Sequence, residues 1–347
     1  MKNNRLLYLL IIIVFVWLGF LTASLNKQKQ VDNTSIVTEI NVNGFSTDFT
    51  HIVEENAPAV VSISADGAIQ SGFVYKQDKD RVYIVTAYHG VAQADSITVY
   101  FGSSYIVNGE LIGHDIYTDI AVLAINTPYE IAPLKLGDAS LLKKGEFVIS
   151  IGTPSSLDYA GTVSLAMIAD KNVTIENIIS VEDERYVYYL DMIETDAELK
   201  NGYSGSPILN MAGELVGMNT MSYNTDFALG VSANEIRVIT ENIINDLEPI
   251  RYIIGVKGSY IRDMYNYEKV NLNISLETIS GLYVSKVREG SLAYEAGIRA
   301  GDVITAINGI TINGLNDYLS VIHTPVDNIS FDYVRGSDTI HQELHND

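Results

Sequence analysis

The sequence predicts a mainly β chain, with two folded modules behind an N-terminal apolar span, on three observations. Short apolar runs separated by turn residues recur from Ala59 to Asn219. Long helical patterns are absent until Ser232. A second set of strand and short-helix signals then fills Arg251 to Ile340. At 347 residues the chain is long enough for two or three domains with cores of their own.

The elements follow in order. Leu6 to Leu25 is twenty residues without a charge. At about 1.5 Å per residue this spans a hydrocarbon core roughly 30 Å thick. A cleaved signal peptide has a shorter apolar region of about 7–15 residues, so residues 1–25 are expected to be an uncleaved transmembrane helix. Cleavage near Thr22-Ala23-Ser24 is the alternative. Lys2 and Arg5 before the span are nearly balanced by Lys27 and Lys29 after it, which fixes orientation weakly. The acidic bulk of the chain is expected outside the cytoplasmic membrane, tethered by a polar linker over residues 26–48.

From Phe49 the texture changes. Phe49–Asn56 reads as a short helix ended by Pro58. Strand-like runs follow at Ala59–Ser64, Phe73–Tyr75, Val82–Thr86, Ser96–Phe101, Ile120–Ile125, Phe147–Ile151, Thr162–Ile168, Tyr186–Ile193 and Glu214–Asn219. Asp66-Gly67, Asn108-Gly109, Lys144-Gly145 and Ala212-Gly213 punctuate them, as in a β barrel or sandwich. Ser232-x-x-Glu235 is a capping box opening a helix with the stripe Ile236, Ile239, Ile243, Ile244 and Leu247, which Pro249 ends. The second module opens with a β-rich run, Tyr252–Val256, and continues through Gly281–Val287. A short helix starts at Ser291 and stops at Gly297; a strand at Val303–Asn308 and a helix at Leu315–Ile322 follow.

Composition excludes several functions. With no cysteine there is no disulfide, thiolate metal site or cysteine nucleophile. A formal charge of -21 with no Lys/Arg patch argues against nucleic acid and against polybasic adhesion to anionic lipid.

One stretch carries the chemistry. In Gly202-Tyr-Ser-Gly-Ser-Pro207, glycines bracket Ser204, and such a turn presents a hydroxyl beside free backbone N–H groups, as acyl transfer requires. Alone it is equally an ordinary glycine turn. A serine hydroxyl needs a base, most often His. Of His51, His89, His114, His323, His341 and His345, only His89 directly follows a buried-looking strand. His114 beside Asp115 offers at most half of a metal site; with no further ligands nearby it reads as a polar loop residue, and no metal or cofactor is expected. The base needs an orienting carboxylate. Asp119 opens the apolar run Ile120–Ile125, where an unpaired charge is costly; Asp115, Asp191 and Asp196 compete with it on chemistry alone.

Several segments resemble the HtrA (Deg) family of trypsin-fold serine proteases. Thr86-Ala-Tyr-His89 resembles its histidine motif and Gly113-His-Asp-Ile-Tyr-Thr-Asp119-Ile-Ala its aspartate motif. Thr195-Asp-Ala through Gly202-Tyr-Ser204-Gly-Ser-Pro207 is similar to its serine motif, and Asp226–Ser232 to the strand lining its specificity pocket. Glu289 to Gly309 resembles a PDZ domain. The resemblance implies a chymotrypsin/trypsin-like double β-barrel over residues 49–249 and a PDZ domain over residues 250–342. It selects Asp119 over its competitors and makes Ser204 the nucleophile and His89 the general base and acid. It gives the oxyanion hole to the backbone N–H groups of Gly202 and Ser204. It implies an apolar pocket at Leu199, Phe227, Ala228 and Leu229. Ile253-Ile254-Gly255-Val256 resembles the PDZ loop that binds a peptide's C-terminal carboxylate while the peptide adds a strand.

The membrane-tethered members are the ones this layout resembles. Their activity implies unfolded or signalling proteins as substrates, and the family's usual homotrimer implies contacts through Phe45 or Phe49. The chain departs from the family at Asn201, Tyr203 and Ser206, where a proline, an asparagine and a glycine are usual, and at Glu198, where a small residue is. Those departures leave a second reading: a catalytically silent relative that binds peptides or acts as a chaperone.

Overall fold

The computed structural model describes residues 49–347 except 182–183, 224–226, 248–250, 327 and 346–347. The apolar span, the linker and Phe45 lie outside the described residues. Among the described residues no helix is long and apolar enough to cross a membrane.

Helix α1 (Thr50–Asn56) precedes the first sheet. Its strands are β1 (Val60–Ala65), β2 (Ala68–Asp78), β3 (Arg81–Ala87), β4 (Ile97–Phe101), β5 (Tyr105–Asn108), β6 (Glu110–Asp115) and β7 (Ile120–Asn126). They are ordered β5-β4-β1-β2-β3-β7-β6, with every pair antiparallel. β5 and β6 are opposite edges of the sheet, yet only Gly109 separates them in the chain. The sheet must curl until its edges meet, so this barrel is closed by the chain rather than by a ladder of hydrogen bonds. The apolar run at Ile120–Ile125 is buried throughout because β7 has neighbours on both sides, β3 and β6.

The second unit is a hydrogen-bonded closed barrel. It comprises β8 (Phe147–Gly152), β9 (Thr162–Val181), β10 (Glu184–Thr195), β11 (Pro207–Asn210), β12 (Leu215–Tyr223) and β13 (Phe227–Ser232). The sequence predicts only seven residues for β9; the strand extends to Val181 because β10 pairs along it from Glu184↔Val181 to Thr195↔Ile168. Helix α2 (Ala233–Ile244) then begins as its capping signal predicts, the Ser232 side chain accepting from Glu235 N–H at 3.2 Å. Ile236, Ile239 and Ile243 are buried, and a Cβ on Gly113 of β6 would lie 2.6 Å from Ile243, so the helix closes tightly over the first sheet. It stops earlier than expected. Asp246 takes a left-handed φ of 57°, the helix ends at Ile244, and Leu247 is left 58% exposed.

The third unit contains β14 (Val256–Tyr260), α3 (Asn266–Asn271), β15 (Leu282–Val287), α4 (Leu292–Glu295), β16 (Val303–Ile307), β17 (Ile310–Thr311), α5 (Leu315–Ile322), β18 (Asn328–Arg335) and β19 (Asp338–His345). Tyr252–Val256 is not a strand. Tyr252 N–H donates to Ile322 at the end of α5, and Gly255 sits at φ 79°, so pairing begins only at Val256.

Where this unit meets α2, Arg251 forms a buried ion pair with Glu235, and His323 Nε2 approaches the same carboxylate at 3.6 Å. Burial, the largest single influence, would raise the Glu235 pKa; the charges and hydrogen bonds of Arg251 and His323 together outweigh it and hold the group down to about 2. Removing one partner strands a buried charge, a loss of roughly 3–5 kcal/mol. Glu235→Ala should therefore lower stability by about that amount in urea titration. Combining it with Arg251→Met should cost less than the two single losses added; simple additivity would contradict the pairing.

Candidate active site

His89 stands on a one-turn 3-10 helix, Tyr88–Gly90, at the end of β3. Three contacts fix it to Asp119. Tyr88 N–H donates to the Asp119 carbonyl at 2.8 Å, His89 N–H to Oδ1 at 2.7 Å, and His89 Nδ1 meets Oδ2 at 2.6 Å. An ionised carboxylate only accepts, so Nδ1 carries the proton and Nε2 is left as a basic lone pair. Asp119 reaches this position with a left-handed φ of 61°, a conformation costing on the order of 1 kcal/mol or more for a residue with a Cβ. The His89 ring is 54% exposed. Its pKa lies above the ordinary value because the hydrogen bond to Asp119 favours the cation; burial works in the opposite sense.

The competing residues have other partners. Asp115 accepts from Thr118 Oγ1 at 2.6 Å within its own turn. Asp191 accepts from Thr174 Oγ1 at 2.7 Å and from Tyr260 at 3.4 Å, and Asp196 accepts from Met167 N–H at 2.6 Å. His114 stacks on Tyr88 with centroids 3.9 Å apart and so supports the His89 turn; burial lowers its pKa. Among the described residues no group of three metal-ligating side chains gathers.

The Ser204 loop follows from its glycines. Gly202 has φ 95° and a Cβ there would lie 2.2 Å from the Thr153 carbonyl; Gly205 has φ 83° and a Cβ would lie 2.1 Å from the Ser71 carbonyl. Each carbonyl of the turn is held. Ser155 N–H donates to Asn201 O at 2.7 Å, Ser71 Oγ to Gly202 O at 2.7 Å, Ser206 N–H to Tyr203 O at 2.8 Å and Ser71 N–H to Ser204 O at 2.9 Å. In a trans peptide the N–H points opposite to the carbonyl. The Gly202 N–H is therefore turned away from Ser155 and the Ser204 N–H from Ser206, and among the described residues neither has an acceptor. Ser204 Oγ donates to Thr220 O at 3.2 Å rather than to His89.

The departures at Tyr203 and Ser206 are absorbed inward. Tyr203 is buried and its hydroxyl donates to Thr162 O at 3.3 Å; Ser206 Oγ accepts from Asn219 Nδ2 at 3.0 Å. Gly152 makes room for both: a Cβ there would meet Tyr203 at 2.8 Å and Ser206 at 3.1 Å. Glu198 is exposed.

The structure brings only part of the expected pocket together. Leu199 packs on the cluster containing Ala197, Val216 and Ala228. Phe227, on the opposite face of β13, is 42% exposed, while Leu229 is buried. In the third unit, Ile254 O accepts from Ala293 N–H at 3.0 Å and Gly255 O from Arg288 N–H at 2.8 Å. Ile253, Ile254 and Gly255 keep N–H groups with no acceptor among the described residues. Next to them, Val256, Gly258, Leu315, Tyr318 and Leu319 line a cavity of about 10 Å³, room for about one water. Tyr189 and Asp191 of β10 form part of the same lining, and burial raises the Asp191 pKa.

Sequence reasoning missed Gln70, Ser71, Thr153 and Ser155, which hold the two turns. The available signal was a Gln-Ser pair followed by Gly72 inside an otherwise apolar strand.

Comparison with known proteins agrees with this layout. Residues 70–218 match the family described as a trypsin-like peptidase domain, and residues 283–328 match the PDZ domain. Serine protease Do-like HtrB of Bacillus subtilis is 28% identical over 328 residues, 87% of this chain and 70% of that protein. Serine protease Do-like HtrA of the same organism is 28% identical over 305 residues, 80% of this chain and 67% of that protein. The solved structure of an HtrA-type protease, AlgW, with a tripeptide shares the fold at a TM-score of 0.59 and 24% identity, over 86% of this chain and 96% of that one.

The contacts of His89 set a titration. Its imidazole should titrate in a proton NMR series with a midpoint above the ordinary value of about 6.5. Asp119→Asn should move the midpoint down; an unmoved midpoint would contradict Asp119 as the cause.

Proposed function

We propose that this chain, a trypsin-like serine endopeptidase of the HtrA family with a C-terminal PDZ domain, cleaves misfolded or regulatory proteins outside the cytoplasmic membrane through an acyl-enzyme on Ser204. The observation that carries the site assignment is the pair of acceptor-free N–H groups, Gly202 and Ser204, beside the Ser204 hydroxyl.

The chemistry follows from the geometry. Ser204 rotates from Thr220 O to His89 Nε2, which takes the hydroxyl proton as Oγ attacks the scissile carbonyl. The negative charge that develops on the carbonyl oxygen meets the two N–H groups, already oriented and needing no reorganisation. The imidazolium is stabilised by Asp119 and returns the proton to the leaving amine as the C–N bond breaks. Water then repeats the sequence and releases the acid, with Ser204 regenerated. Leu199 and Ala228 are the side chains we assign to the apolar pocket, with Phe227 at its mouth.

The stretch Leu6–Leu25 is assigned as a single-pass anchor, with the catalytic and PDZ domains on the extracytoplasmic side. A homotrimer is part of this reading. It is supported by Val163, Leu165 and Met167, which alternate along β9 and leave an exposed apolar stripe. The Ile253–Val256 loop is assigned to capture peptide C-termini. The near-filled cavity behind it favours a resting enzyme whose PDZ groove opens only for its ligand.

Fluorophosphonate labelling of the full chain tests the assignment. Wild type should label, Ser204→Ala should not, and Asp119→Asn should slow turnover of an unfolded protein by on the order of 10⁴-fold. Labelling that persists in Ser204→Ala would overturn the nucleophile. If wild type fails to label with and without hydrophobic C-terminal peptides, the silent peptide-binding reading stands instead. Labelling that accelerates with such peptides is expected for the closed groove.

A further inference from the structure

β2 runs between the two turns of the candidate site, and near its start Gln70 and Ser71 are 4% and 0% exposed. Neighbours on a strand point to opposite faces, and here the two faces belong to the two halves of the site. Gln70 turns toward the base. Its Nε2 donates to Thr86 Oγ1 at 3.0 Å and to the Ala87 carbonyl at 3.3 Å, at the root of the His89 turn. Its amide lies flat against Gly90, the residue after His89: a Cβ on Gly90 would lie 1.8 Å from Gln70 Oε1. That oxygen is buried without a hydrogen-bond partner, so packing on the turn is obtained at the expense of a polar contact.

Ser71 turns toward the nucleophile. Its Oγ donates to Gly202 O and accepts from Thr153 N–H at 2.9 Å, while its own N–H donates to Ser204 O. It thus grips the carbonyls of Gly202 and Ser204, each one peptide unit beyond the N–H of the same residue assigned to the oxyanion, and so fixes the Cα between them. Thr86 Oγ1 donates to Ser71 O at 2.6 Å and ties the two residues' contacts into one network.

We propose that Gln70 and Ser71 are positioning residues of the hydrolysis: Ser71 holds the two oxyanion donors in register, and Gln70 holds the turn that presents His89. The proposal rests on the assignment of Ser204 and His89 above. Neither residue touches substrate; both act through main chain, so their effect falls on the chemical step rather than on binding.

The test uses the full chain and a fluorogenic peptide. Ser71→Ala should lower kcat by roughly 10²-fold with KM changed by less than about threefold, as for a displaced oxyanion donor. The affinity of a peptide boronate, whose tetrahedral adduct occupies the oxyanion site, should fall in parallel with kcat/KM. Ser71→Cys keeps a small side chain and a weak donor and should recover part of the loss; it replaces Ser71→Ala should that variant not fold. Gln70→Met keeps the volume without the amide. It should lower kcat about tenfold and move the His89 midpoint down toward the ordinary value of about 6.5. A folded Ser71 variant with near-wild-type kcat and boronate affinity, or a Gln70→Met enzyme with unchanged kcat and midpoint, would overturn the corresponding role. Ser204→Ala is run alongside. If it keeps activity, the nucleophile assignment has failed; if it is dead while the Ser71 and Gln70 variants match wild type, only the positioning role has.

Discussion

The two β units meet where backbone approaches backbone: at Gly205 of the second barrel's loop even a methyl group would collide with the Ser71 carbonyl of the first sheet. Within the second barrel, Gly202 lies as close to the Thr153 carbonyl. This approach lets the first sheet hold the Ser204 loop directly, through the Ser71 N–H on Ser204 O and the short Ser71 side chain on Gly202 O. Neither half forms the site alone. β3 and the turn before β7 present His89 and Asp119, while the loop before β11 presents Ser204. The strand that registers them, β2, belongs to the first sheet and bonds to the second barrel's loop. Tyr203 and Ser206 are tolerated for the same reason in reverse: Gly152 leaves the space they fill.

Two charged centres in the molecule are treated in opposite ways, and the difference follows from what each does. Glu235 and Arg251 are almost fully buried and stay charged. Each depends on the other, and the arrangement suits a fixed junction. In the proposed mechanism His89 gains and loses a proton in every catalytic cycle. Complete burial would penalise its cation, and full exposure would leave its ring free to wander. Half exposure together with two contacts from Asp119 avoids both, holding the ring while keeping the charged form accessible.

How much of this was legible in the sequence depended on range. Elements with a local cause were readable: Ser232 as cap of α2, the buried run of β7, and Ser204 between its glycines. His89 was singled out by its strand, but Asp119 needed the family pattern, since Asp115, Asp191 and Asp196 offer the same chemistry. What separates them is a left-handed turn and contacts some thirty residues away in sequence, which no local pattern encodes. The end of α2 was misjudged because the apolar stripe continues to Leu247 while Asp246 has already left the helix. The length of the β9–β10 hairpin was hidden because its outer part packs beside β14 and α5 of the third unit, a long-range contact that no local pattern encodes. Gln70 and Ser71 left only a weak signal, the Gln-Ser pair before Gly72, because a buried polar side chain in a strand reads as noise until its partners are known.

The same hairpin constrains how the PDZ unit relates to the site. β10 lines the cavity beside β14 and α5 with Tyr189 and Asp191, and then runs on to Thr195, where the stretch leading to Ser204 begins. With room for about one water, a peptide cannot enter beside these residues without displacing them. Displacement has a cost that is set locally: Asp191 would give up the hydrogen bonds from Thr174 and Tyr260. The ladder to β9 is irregular between Met192 and Thr195, while Ile193, Glu194 and Thr195 pair with β13 on the other side. The cavity and the stretch leading to Ser204 thus hang from one strand, with its register shifts lying between them.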